Sequence, residues 1–196
     1  MGAQIKRIPE FIIFTGPMFG SKTTRLLAAV DRFRYQNRSV IAFKPRLDER
    51  YSKSHISTHS GGRLDAHTVN SGEEIITIVN DLDCDVVAVD EAFMIDNSSS
   101  ALLSLFRMGK TIIVSSLQLS ASGNVFNEIR DMMPWATKIV VCPAVCTVTG
   151  LDAYYTHRKF SDMDEITVGG SELYEPRSWF HHSYMNQLEF IEEEHD

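Results

Sequence analysis

One segment constrains this chain more than any other: Gly16-Pro17-Met18-Phe19-Gly20-Ser21-Lys22-Thr23, set between an apolar run at residues 11–15 and a helical pattern in which Leu26, Leu27, Val30 and Phe33 share a face. A strand, a glycine-containing turn and a helix in that order leave the free amides of a helix N-terminus open at the carboxyl edge of a sheet. Such amides curl around an anion, a lysine neutralises it, and a neighbouring hydroxyl holds a cation. Lys22 and Thr23 supply the last two groups. The pattern is a Walker A loop with one departure, because Ser21 stands directly before the lysine and the glycine lies one place earlier, at Gly20. If the loop keeps its ordinary backbone, Ser21 carries on the order of 1 kcal/mol of conformational strain.

Further β-branched apolar runs follow at residues 39–43, 86–90, 111–117 and 138–141, with helical patterns between most of them. This alternation predicts an α/β fold, a P-loop NTPase-like parallel sheet flanked by helices, over residues 1–141. Ser71 and Glu74 form a capping-box pattern ahead of Ile75, Ile76 and Val79, and a third helix is predicted from Asn97 to a left-handed stop at Gly109. Residues 44–71 turn polar and aperiodic and are predicted to form a long, mobile loop. After Val141 the alternation ends, which predicts a small loop-rich lobe over residues 142–184, with a strand-like piece at 165–168, and an acidic tail at 185–196. No internal repeat or low-complexity tract is present.

The third apolar run closes on Asp90-Glu91, a carboxylate pair at the edge where open α/β sheets bind ligands. Asp90 suits a Walker B role, holding Mg²⁺ together with Thr23, and Glu91 beside it is placed to take a proton from an attacking hydroxyl. Lysine-bearing loop and carboxylate pair together indicate a nucleoside triphosphate user.

Composition excludes several other classes. A net charge of −7 gives no general attraction to nucleic acid or to an anionic membrane. The three cysteines, Cys84, Cys142 and Cys146, are an odd number, and no signal-type apolar segment opens the chain. No apolar run approaches bilayer length, and the opening Met-Gly lacks the position-6 hydroxyl of a myristoylation signal. These features predict a cytoplasmic protein with no nucleic-acid or membrane partner.

The chain resembles the thymidine kinase family of the type II, cellular and bacterial group, as a divergent member, over roughly residues 11–181. The resemblance rests on Gly16-Pro17-Met18-Phe19 with Lys22-Thr23-Thr24, Lys44-Pro45 with Asp48 and Arg50-Tyr51, Thr58-His59, and Val89-Asp90-Glu91-Ala92. It continues through Gly109-Lys110-Thr111, Ala144-Val145-Cys146, Tyr155-Thr156-His157-Arg158, and Gly169-Gly170 with Tyr174-Glu175-Pro176-Arg177. It implies ATP and thymidine as substrates, Mg²⁺ with the ATP, and phosphorylation of the thymidine 5′-hydroxyl in nucleotide salvage for DNA synthesis. It further implies a homotetramer and inhibition by the triphosphate end product. Of the residues, it implies Glu91, Lys22 and Arg50 as catalytic, and Asp90 and Thr23 at magnesium. The ATP site would take Gly16, Pro17, Met18, Phe19, Gly20, Ser21, Lys22 and Thr23 with Asp90, Glu91, Ala92 and Phe93. A thymine pocket would be built from Met18, Met94, Leu117, Phe126, Thr156, Gly169 and Tyr174.

Departures from the family pattern fall on the pocket and on the small lobe. Phe93 and Met94 stand where the family has glutamine and then an aromatic, Gln118 where it has aspartate, and Ala121 where it has an aromatic. These changes enlarge or soften the pocket. The family's structural zinc positions correspond to Cys146, Thr149, Ser178 and His181, of which two carry hydroxyls, so no structural zinc is expected. Trp179 and Phe180 are expected to replace coordination by burial, His181-His182 to lie on the surface, and Cys84 to be a small buried apolar residue. Ser21 and the altered pocket leave a second reading open, a catalytically degenerate nucleotide-binding regulator of the same fold.

Overall fold

The computed structural model describes residues 8–48, 54–58, 60–160, 167–182 and 185–186. In chain order its elements are β1 (Phe11–Thr15), α1 (Lys22–Tyr35), β2 (Val40–Pro45), β3 (His55–Ser57), β4 (Arg63–Asp65), β5 (His67–Val69), α2 (Gly72–Leu82), β6 (Val86–Asp90), α3 (Ser98–Arg107), β7 (Thr111–Ser116), α4 (Asn127–Met132), β8 (Lys138–Val141), β9 (Ala144–Val145), β10 (Asp152–Ala153), β11 (Tyr155–Arg158) and β12 (Tyr174–Arg177). Single 3₁₀ turns lie at Ala92–Met94, Met133–Trp135 and Trp179–His181.

Every residue of β1, β6 and β7 is buried, the signature of strands covered on both faces. They lie side by side in a six-stranded sheet of order β5-β2-β6-β7-β1-β8, and every neighbouring pair is parallel. Two-residue alternation divides the core between the faces. Phe11 and Ile13 point with Val87, Val89, Ile112 and Val114 to the side packed by Ile75, Leu102, Leu105 and Ile129 of α2, α3 and α4. Ile12 and Phe14 point with Ala88 and Ile113 to the side packed by Leu26, Val30 and Phe33 of α1. Leu26, Val30 and Phe33 fall at helical spacing, which is why α1 buries one face against the sheet.

One predicted helix end follows its local chemistry and another does not. Behind α3, Gly109 takes φ 89°, its amide donates to the Phe106 carbonyl and the Lys110 amide to that of Leu105, a Schellman stop at the predicted glycine. The expected capping box at α2 does not form. Ser71 makes no side-chain cap bond, and Glu74 is drawn instead toward the Asn70 amide and the Arg46 guanidinium.

The polar stretch at 44–71 is not one long loop. Among its described residues, β3 and β4 pair as an antiparallel hairpin that buries Ile56 and Leu64 against the α1 face, and β5 joins the sheet beside β2. Each strand has three residues, too short for periodicity to reveal. Beyond Val141 the structure consists of two small antiparallel pairs, β9 with β10 and β11 with β12. Thr167 and Val168 of the expected strand are irregular, its first two residues lie outside the described part, and so do residues 187–196 of the tail. No helix among the described residues is long and apolar enough to cross a membrane.

Candidate active site

Strand order makes the site. Because β6, β7 and β1 are neighbours in register, with Asp90 opposite Ser115 and Thr15 opposite Ser116, the loop after β1 and the carboxylates after β6 reach the same sheet edge. The loop is pinned from behind by β8. The Cys142 amide donates to the Thr15 carbonyl at 2.7 Å, and the Cys142 carbonyl lies so close that a Cβ on Gly16 would stand 2.4 Å from it and one on Gly20 2.3 Å. Gly20 is thus fixed by a backbone approach, and the turn into α1 is made by residues with side chains. Phe19 (φ 65°) and Ser21 (φ 58°, ψ 25°) both adopt the left-handed conformation, so the expected strain on Ser21 is present, at about 1–2 kcal/mol for a non-glycine residue there. Lys22 is buried, and its Nζ donates to the Pro17 carbonyl across the loop at 2.6 Å.

Opposite Lys22 lies Asp90. Its carboxylate accepts from the Thr23 hydroxyl at 3.1 and 3.3 Å and from the Ser115 hydroxyl. Burial holds its pKa above the usual carboxylate range; the hydrogen bonds from Ser115 and Thr23 oppose the shift, the Asp48 carboxylate adds to it, and Lys22 opposes it. Asp48 is itself buried, 3.9 Å from the buried Lys44 ammonium. Glu91 follows in a left-handed conformation (φ 49°, ψ 46°) that ends β6 abruptly and starts the Ala92–Met94 turn. Phe19, Ser21 and Glu91 therefore gather sparsely populated backbone conformations around one point.

Two cavities open there. The larger, of about 350 Å³, is polar, and Met18–Thr24 of the loop line it with Lys44, Asp48, Asp90 and Glu91, closed by Ser57, Thr58 and Ser60 of the hairpin. The smaller is an apolar slot of about 40 Å³, lined by Met18, Phe93, Met94, Leu117, Phe126 and Val168, with Glu91, Thr156, Arg158, Gly169 and Tyr174 as its polar edge. Phe93 and Phe126 pack at 4.4 Å between ring centroids. The wall from the small lobe is tied in twice: the Met18 amide donates to the Thr156 hydroxyl at 3.0 Å, and the Tyr174 hydroxyl donates to the Thr167 carbonyl at 2.8 Å. Glu91 and Met18 line both cavities.

All seven residues expected to form the pocket, Met18, Met94, Leu117, Phe126, Thr156, Gly169 and Tyr174, line the slot. Of the residues expected around the triphosphate, Met18 to Thr23, Asp90 and Glu91 line the polar cavity. Gly16 and Pro17 lie behind the loop, Ala92 is in the core and Phe93 belongs to the slot. Arg50 lies outside the described residues, with Tyr51 and His59. Sequence reasoning missed Ser115, the Lys44–Asp48 pair as a buried unit, and Arg158. The first depends on β6 lying beside β7, which no local pattern announces. Lys44 and Asp48 stood within a recognised segment without a role.

In the small lobe, the four positions singled out for zinc converge. The buried Cys146 thiol is pushed up by burial, but the Thr149 hydroxyl, the Ser178 and Val148 amides and the Ser178 hydroxyl outweigh this and bring it down to about 6. Ser178 Oγ also lies 3.4 Å from His181 Nδ1. No group of three or more His, Cys, Asp or Glu residues able to hold a metal occurs among the described residues. Two expectations fail here. Trp179 and Phe180 are 39% and 66% exposed and pack edge to face on each other, so they do not supply a buried plug, and His182, expected at the surface, is buried at 2% exposure. Cys142 packs its backbone against Gly16 and Gly20 of the loop after β1, while Cys84 is buried as expected.

A family model described as thymidine kinase matches residues 10–182. Among curated proteins, the chain is 31% identical over 179 residues to a protein named thymidine kinase from Pyrobaculum aerophilum, covering 87% of this chain and 97% of that one. It is 33% identical over 181 residues to one of the same name from Thermococcus kodakarensis, covering 87% and 92%. With the lysine loop, the carboxylate pair and the adjoining apolar slot meeting at one sheet edge, and with these matches spanning most of its length, the chain belongs to the thymidine kinase family.

Proposed function

We propose that the protein is an ATP-dependent thymidine kinase that transfers the γ-phosphoryl group of ATP to the thymidine 5′-hydroxyl, giving thymidine monophosphate for DNA synthesis. The observation that carries this reading is the position of Glu91, in the wall common to the polar cavity and the apolar slot. A group that takes a proton from a hydroxyl while that hydroxyl attacks a phosphorus must face both reactants.

The roles follow from the surroundings. The loop amides and Lys22 hold the phosphates, with Lys22 exchanging its Pro17 carbonyl for phosphate oxygen. Asp90 and Thr23 are suited to Mg²⁺. Asp90 is a buried carboxylate whose charge is disfavoured by burial and by Asp48, so a divalent cation beside it relieves a cost already present. When bound, the ion neutralises charge on the β and γ oxygens. Arg50 is assigned as a further cation by family resemblance alone. In the slot, Leu117, Phe126 and Met94 suit the face and 5-methyl group of thymine. Residues 142–184 then form a substrate-closing lobe. A cytoplasmic homotetramer with no nucleic-acid or membrane partner accords with the family and with the net charge of −7.

The test is a panel of deoxynucleosides with ATP and Mg²⁺. Thymidine is expected to give the highest kcat/KM and deoxyuridine to follow, since one methyl group in an apolar slot is worth about 1–3 kcal/mol. A preference for a purine nucleoside overturns the assignment.

A further inference from the structure

We propose that His182 is a positioning residue of the nucleoside site, which sets Thr156 through its backbone carbonyl and thereby fixes the wall of the slot. The inference rests on the thymidine kinase reading above. Three observations carry it. First, His182 is 2% exposed, and its Nε2 lies 3.0 Å from the Thr156 carbonyl oxygen. A carbonyl only accepts, so Nε2 carries the proton and donates. Second, the same Thr156 accepts the Met18 amide on its hydroxyl at 3.0 Å, which places it between the phosphate loop and the far end of the small lobe. Third, Thr156 and Met18 both line the slot, whereas His182 does not, so His182 reaches the slot through Thr156.

The ring is packed by its neighbours. His157 packs against it at 5.6 Å and Tyr155 at 5.8 Å between centroids, both nearly perpendicular, and the His182 carbonyl accepts from the Met185 and Asn186 amides. Burial and the Arg177 charge keep its pKa below the usual histidine range, against the Thr156 hydrogen bond, so the ring is neutral at physiological pH. Nearby His157 is also held low, by burial, Arg177 and His182, with Glu175 opposing. The phosphate loop, by contrast, has a second anchor beyond Met18, in Gly16 and Gly20 against Cys142. Loss of the His182 donor should therefore affect thymidine binding far more than ATP binding.

The experiment compares His182→Phe, which keeps a ring but has no donor, with His182→Gln, which keeps an N–H donor. KM for each substrate, kcat and Tm are measured in all variants. His182→Phe is expected to raise the thymidine KM about tenfold, the effect of leaving a buried carbonyl without its donor, with the ATP KM within about twofold of wild type. His182→Gln is expected to restore most of the loss. In a Thr156→Val background, where the link to Met18 is already cut, His182→Phe should add little. Equal thymidine KM values for wild type and His182→Phe overturn the inference, as do parallel rises in both KM values or equal losses in the two variants. Should His182→Phe fail to fold, His182→Met is read in its place with the same outcomes. Wild-type protein that does not phosphorylate thymidine overturns the substrate reading as well, and that failure shows in the control before any variant is compared.

Discussion

The two walls of this site are built differently. On the phosphate side the shape comes from backbone: Gly16 and Gly20 lie against the Cys142 carbonyl, and Phe19, Ser21 and Glu91 hold left-handed conformations. On the nucleoside side it comes from side chains of several elements, Met94 and Leu117 from the sheet edge, Phe126 before α4, and Thr156 and Tyr174 from the small lobe. A backbone wall leaves no room for a Cβ, whereas a side-chain wall can exchange one apolar group for another of similar volume. Most departures from the family pattern around the site divide in the same way, for Phe93, Met94 and Ala121 line the slot, while the loop departs only at Ser21; Gln118 is the exception, accepting from the Thr15 hydroxyl at the base of the loop.

Glu91 lies on the boundary, and its replacement gives the largest expected effect. Glu91→Gln preserves size and removes the basic oxygen, so ATP and thymidine should still bind while kcat falls by about 10²–10⁴-fold. Turnover near that of wild type would show that the shared wall is not where the proton leaves. Lys22→Ala should differ in kind, weakening ATP binding as well as rate, because its charge acts before and during transfer.

The contrast between walls is tested next by one substitution on each side. Gly20→Ala puts a Cβ 2.3 Å from the Cys142 carbonyl, and backbone must move. It should cost about 1–3 kcal/mol of stability, as overpacking does, and raise the ATP KM more than the thymidine KM. Met94→Leu, a volume-conserving change in the slot, should cost less than about 1.5 kcal/mol and leave the ATP KM unchanged. Denaturant titration and steady-state kinetics decide both. Equal tolerance on the two sides would break the comparison.

What the sequence reveals follows the same division. The backbone-made half was legible because it depends on local order: strand, Gly16 to Thr23, helix, then Asp90-Glu91 at a strand end. The buried strands were equally legible, since β1, β6 and β7 carry unbroken apolar runs at residues 11–14, 86–89 and 112–114. Partners across the sheet were not, and Ser115 reaches Asp90 only because β7 lies beside β6. The seven slot residues came from family resemblance; periodicity would not have gathered Met18, Phe126 and Thr156 from three distant parts of the chain. The surface expectation for His182 fails because nothing local marks its burial, which depends on β11 folding against it.

Ser21 offers a finer test of the backbone wall. Glycine occupies its conformation (φ 58°) without the Cβ penalty of about 1–2 kcal/mol, but loses more freedom on folding, by about 0.5–1 kcal/mol. The two nearly offset, so Ser21→Gly should change stability by less than about 1 kcal/mol and leave kcat equal or higher. A severe loss of ATP affinity would mean that the serine hydroxyl itself holds phosphate.

The smallest effect of all is expected from removing metal, at the place where the family resemblance implies zinc. Cys146, Thr149, Ser178 and His181 meet, yet the contacts that join them are hydrogen bonds: hydroxyls of Thr149 and Ser178 and amides of Val148 and Ser178 surround the Cys146 sulfur. Neutral hydroxyls are poor zinc ligands, and Cys146 with His181 leaves half of a tetrahedral site unfilled. Trp179 and Phe180 are too exposed to substitute for coordination by burial, so the hydrogen-bonded thiol, with the bonds of the Thr147 amide to the Pro176 carbonyl and of its hydroxyl to Glu175, holds β9 and β10 to β12 and the turn after it. Protein purified without a histidine tag should contain zinc well below one atom per chain, and a strong chelator should leave Tm unchanged. Thr149→Val and Ser178→Ala should each lower stability by about 1 kcal/mol, the usual worth of one hydrogen bond, in metal-free buffer. One tightly held zinc per chain, or a chelator that unfolds the lobe, would mean that Cys146 and His181 recruit further ligands and that coordination survives here in altered form.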